Sequence, residues 1–136
     1  MKNVILIFAF VIAGTLSLIA QSSKGTANPG FLNKKVNFAG VDSGEIEKSV
    51  LIKSKKLSFD EKASSGYKIT TFKMTLVTKE GDQLSFGNDK DGELTAAMLE
   101  ALAKAPAGSK LFFEYIRCVD ENGVSHALQA FYYVLK

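Results

Sequence analysis

The chain opens on an apolar block from Val4 to Ile19, broken only by Gly14, Thr15 and Ser17, and becomes polar from Gln21 onward. Tyr67 to Thr78 then alternates Phe72, Met74 and Leu76 with Thr71, Lys73 and Thr75, the period of a half-buried strand. Lys79-Glu-Gly-Asp82 is turn chemistry, and Gln83 to Gly87 returns as the second arm of a hairpin. Leu94, Met98, Leu99 and Leu102 recur at helical spacing in an Ala-rich run stopped by Pro106 and Gly108, which predicts one helix over about 94–104. Lys110 to Val119 and Val124 to Leu135 form a second hairpin around Asp-Glu-Asn-Gly at 120–123. Both arms are apolar on both faces. Leu111, Phe113 and Tyr115 oppose Phe112, Ile116 and Cys118, while Leu128, Ala130, Tyr132 and Val134 oppose Phe131, Tyr133 and Leu135. Such strands are expected to be covered on both sides. Further upstream, VNFAGV and GEIEKSVLI read as short strands, although Glu45 to Ile52 equally fits a helical turn. The expected fold is mainly β, an antiparallel β-sandwich-like domain with one helix before its C-terminal hairpin.

The apolar block, preceded by Lys2, has the form of a secretory signal peptide over 1–20, with cleavage after Ala20 or Ser22. An uncleaved anchor is the alternative, since the block falls just short of the roughly 20 residues that span a bilayer. Residues 21–35, with Gly25, Pro29 and Gly30, read as a flexible tether, and the domain is expected over 36–136. Export implies a periplasmic or envelope location, with no membrane insertion after cleavage.

At 136 residues the chain fits one domain. Its single Cys118 can close no internal disulfide. Without Lys2 the net charge is +2, too low for a nucleic-acid binder. The distribution is uneven: residues 48–73 hold seven Lys against Asp60 and Glu61, and residues 80–100 hold six acids against Lys90. Such +5 and −5 segments can steer a charged protein partner. Lys53, Lys55 and Lys56 are the candidate basic contacts, and Tyr115 and Tyr132 the aromatic ones.

Motifs for catalysis, cofactors or metals are scarce. Asp89-Lys-Asp-Gly-Glu93 resembles part of a calcium loop, but Gly87 and Met98 fall where that loop needs oxygen ligands. His126 is the only imidazole, expected at the surface, and neighbouring Ser125 points to the opposite strand face. Cys118 is expected to be a buried, inert thiol. No cofactor is expected. The alternative to a binding module is a small periplasmic enzyme or ligand-binding protein with a site around Glu114, Arg117 and His126.

The run from Ala105 to Lys136, with SGEIEKSVLI and FGNDKDGELTAAMLEALAKAPAGSK upstream, carries a family resemblance. Its motif is a helix, Pro-x-Gly-Ser-Lys, a strand with Phe113 and Ile116, a turn at Gly123, and a last strand with Leu128 and Phe131. Over roughly residues 40–136 it resembles the C-terminal domain of the gliding-motility and type IX secretion family GldM, also called PorM. The resemblance implies a non-enzymatic, protein-binding β domain of the cell envelope. The partners it implies are other envelope proteins such as GldK/GldN-like ring components, with a possible homodimer. It covers no helical periplasmic bundle, so the expectation is a stand-alone tip domain.

Overall fold

The computed structural model describes residues 32, 34–60, 66–88 and 90–136; the apolar block 1–20 and residues 21–31 lie outside them. In chain order the elements are β1 (Val36–Phe38), β2 (Gly44–Ile46), α1 (Lys48–Ser54), β3 (Leu57–Phe59), β4 (Lys68–Val77) and β5 (Gln83–Asn88). They continue as α2 (Ala96–Lys104), β6 (Lys110–Val119), β7 (Ser125–Ala127) and β8 (Phe131–Leu135). The larger sheet runs β2-β8-β6-β4-β5, with β7 also paired to β6, and β1 and β3 form a separate antiparallel pair. The fold is mainly β, as expected.

Two details were not legible in the pattern. Strand β2 runs parallel to β8, which is possible because the rest of the domain connects them and no tight turn is required. The ambiguous stretch 45–52 is divided: Gly44–Ile46 is strand, and a helix of seven residues follows. That helix ends at Lys55, which takes the left-handed conformation and donates its backbone N–H to the Leu51 carbonyl. Helix α2 begins at Thr95, whose Oγ1 accepts from the Met98 N–H, and it buries Met98 and Leu102.

Among the described residues, the expectation of two covered faces is overturned. In β6 the chain takes a left-handed step at Tyr115, where φ is +52°, and one extra residue enters the strand opposite β4. The bulge resets the alternation, so Ile116 and Cys118 join Leu111 and Phe113 on one face. Strand β4 makes its own slip near Thr70, placing Ile69 on the same face as Phe72, Met74 and Leu76. The interruption between β7 and β8 does likewise for Leu128, beside Tyr133 and Leu135. One face is therefore continuously apolar.

Helices α1 and α2 and the β1–β3 pair all cover that face, contributing Val36, Phe38, Leu51, Leu57, Met98 and Leu102 to a single core. Phe113 is its hub, with ring centroids of Phe38, Phe131, Phe72 and Tyr133 at 4.9, 5.1, 5.9 and 6.3 Å. The Tyr133 hydroxyl ties the layers together, accepting from the Phe38 N–H at 3.1 Å and donating to the Val41 carbonyl at 2.6 Å. Burial raises its pKa, and the Phe38 N–H opposes that rise. The end of the proposed tether also lies on the domain: Leu32 N–H bonds the Ala127 carbonyl at 2.9 Å, and Lys34 sits over the Tyr67 ring at 4.3 Å.

Phe113→Ala should cost about 3–5 kcal/mol in urea unfolding, the range for emptying a buried aromatic site. Cys118, with no exposed surface and a pKa raised chiefly by burial, should label slowly with a thiol reagent in the native state and fast in denaturant.

Candidate functional site

The candidate residues fall in three places. Lys53, Lys55 and Lys56 are all exposed at the end of α1. Lys53 occupies the last turn, where a cation complements the helix dipole. Lys55 is the left-handed cap. Lys56 and Glu93 form an isolated antiparallel backbone bridge, in which the Leu57 N–H bonds the Gly92 carbonyl and the Leu94 N–H bonds the Lys55 carbonyl. The acidic loop thus folds back on the basic segment. Asp91 pairs with Lys68 at 2.7 Å, and this hydrogen bond, with the charges of Lys68 and Lys56, lowers the Asp91 pKa. The buried amide of Asn88 shapes the loop, donating to the Lys90 and Glu93 carbonyls. A cleft of about 450 Å³ lies here, with Lys56, Lys68, Asp91 and Tyr67 in its walls. The charge separation seen along the sequence is locally neutralised in space.

Glu114, Arg117 and His126 are not brought together. Cross-strand partners share a sheet face. His126 stands opposite Cys118 on the core side, whereas Arg117 stands opposite Ala127 and Glu114 opposite Lys73 on the outer side. Arg117 instead donates to the Ser125 hydroxyl at 3.1 Å. His126 was expected at the surface, yet only 19% of its side chain is exposed. Its Nε2 lies 2.9 Å from Asp120 Oδ2, and its ring meets Tyr67 edge-on at 5.9 Å.

Cys118, His126 and Asp120, neighbours in space, resemble a catalytic set, but the geometry serves the turn. Asp120 Oδ1 accepts from the N–H groups of Asn122 and Val124, both at 2.9 Å, and Gly123 takes the positive φ that the turn needs. The His126 hydrogen bond and then the Val124 N–H lower the Asp120 pKa. Cys118 has its pKa raised, the opposite of an activated nucleophile. Asp120 is a clamp for the β6–β7 turn. An Asp that opens a Gly-containing turn was a readable signal for this role; its His partner depended on strand register.

The outer face of the sheet holds the third group. Tyr115 is 75% exposed and Tyr132 47% exposed. Phe112 and Tyr132 are cross-strand partners with rings 5.7 Å apart, and the Lys73 ammonium lies 5.9 Å from the Tyr115 centroid. Phe112 and Lys73 were not singled out in the sequence. A bulky residue in the left-handed region costs of order 1–3 kcal/mol and marks a position held against its preference.

Among the described residues, no helix is long and apolar enough to cross a membrane. No protein-family model matches the chain, and no curated protein matches it.

The folded-state pKa of Asp120 lies below its ordinary value of 3.8, so its stabilisation is complete above that value and drains as the pH falls through the lowered one. Asp120→Asn should lower the urea midpoint at pH 7, and the gap from wild type should narrow as the pH approaches 2.

Proposed function

We propose that this chain is a non-enzymatic protein-binding module and that its contact surface is the outer sheet face around Tyr115, Tyr132, Phe112 and Lys73. The observation that carries this reading is Tyr115, held 75% exposed by a left-handed bulge on the uncovered side of a domain whose apolar residues otherwise gather on the other. Exposed aromatics beside a cation form the kind of cluster that concentrates binding energy in protein interfaces. The partner is an envelope protein of the type IX secretion or gliding machinery, reached after export of the chain. That assignment rests on the resemblance of residues 40–136 to the GldM C-terminal domain. The enzyme alternative has less support, because Glu114 and Arg117 lie across the sheet from His126.

Affinity capture from envelope extracts, with identification of what binds, tests the reading. Tyr115→Gly combined with Tyr132→Ser should weaken capture by roughly thirtyfold, the effect of losing about 2 kcal/mol at an interface centre. Tyr115→Gly alone should leave stability within about 1 kcal/mol of wild type, since a solvent-exposed ring is lost while a strained backbone is relieved. Capture that survives the tyrosine changes but falls with salt and with charge reversal at Lys53, Lys55 and Lys56 moves the contact to α1. Capture of no envelope protein removes the reading.

A further inference from the structure

We propose that β5 is the docking edge for a second copy of this chain, the two β5 strands pairing antiparallel about a two-fold axis. The proposal stands apart from the binding surface above and does not depend on it. Among the described residues, β5 pairs with β4 alone and closes one end of the larger sheet. The opposite end is β2, three residues long and carrying Glu45, which pairs with Lys136 at 2.6 Å; such short, charged edges resist strand addition. Strand β5 has none of these protections. Its six residues, QLSFGN, contain no charge and no proline, and its register with β4 shows no bulge. Leu84 is 50% exposed.

The backbone fixes the register of such a pair. The Thr78 N–H bonds the Asp82 carbonyl at 2.9 Å, so residue 82 directs its backbone groups toward β4. Alternation then aims residues 84, 86 and 88 at β4 and leaves the N–H and C=O groups of Gln83, Ser85 and Gly87 pointing outward. Two copies use all three residues only when Ser85 faces Ser85 of the second copy and Gln83 faces its Gly87. In that register Leu84 falls opposite Phe86 of the other copy on the core side, pairing two incompletely buried apolar residues. A two-fold contact repeats each of these interactions.

Facing Ser85 residues would have Cα atoms about 5.5 Å apart, within the roughly 4.4–6.8 Å that a disulfide spans. Ser85→Cys in the full chain should therefore give a covalent dimer on mild oxidation or with a short bis-maleimide. Gln83→Cys should not, because the two Gln83 positions are about 14 Å apart, four residues at roughly 3.4 Å per residue. Adding Leu84→Lys to Ser85→Cys should abolish the dimer, by placing a cation on the edge, while circular dichroism stays unchanged. A monomeric Ser85→Cys protein, equal cross-linking of Gln83→Cys, or a dimer that persists with Leu84→Lys overturns the proposal.

Discussion

The fold depends on a slip in strand phase shared by three neighbouring strands. A pleated strand sends alternate residues to opposite faces, so without the residue inserted in β6, Ile116 and Cys118 would turn out to water. The compensating irregularity in β4 near Thr70, and the interruption before β8 at the same level, keep Ile69, Ile116 and Leu128 in line with Phe72, Phe113 and Phe131. The slips hold one face apolar along its whole length, and the Phe113 ring, touching four others, packs at the centre of that face.

Legibility in the sequence followed the range of the physics involved. The β4–β5 hairpin, helix α2 and the turn at 120–123 are set by neighbouring residues, and their positions were readable. The bulge at Tyr115 was not, because no glycine marks it; a tyrosine is forced into the left-handed region by the packing of Phe113 and Ile116 on either side. Ignoring that slip made β6 look apolar on both faces and called for a second cover that is not found among the described residues. The parallel pairing of β2 with β8 joins segments from opposite ends of the domain, beyond the reach of any local pattern. Tyr115 and Tyr132 could be picked out as aromatics, but their shared face with Phe112 and Lys73 follows only from register.

Charge gives the same lesson in another form. Lys-rich and acidic stretches that suggest opposed poles lie next to each other once β3 and the 90–93 loop are joined by backbone hydrogen bonds. The ion pair of Lys68 with Asp91 is more than half exposed at both ends, so it contributes little to stability. Its effect is on the field around the domain, which is weaker than the linear sequence implies. The outer sheet face then stands out by its aromatic character.

Strand β8 is laid between β2 and β6, and the Tyr133 hydroxyl closes the contact with β1. An interior position of the sheet is therefore filled by the segment that leaves the ribosome after every other element of the domain. Until Leu135 is free, β2 has no neighbour and the Phe38 N–H lacks the acceptor it has in the folded domain. Folding must wait for contacts between segments far apart in the chain, which makes it slow.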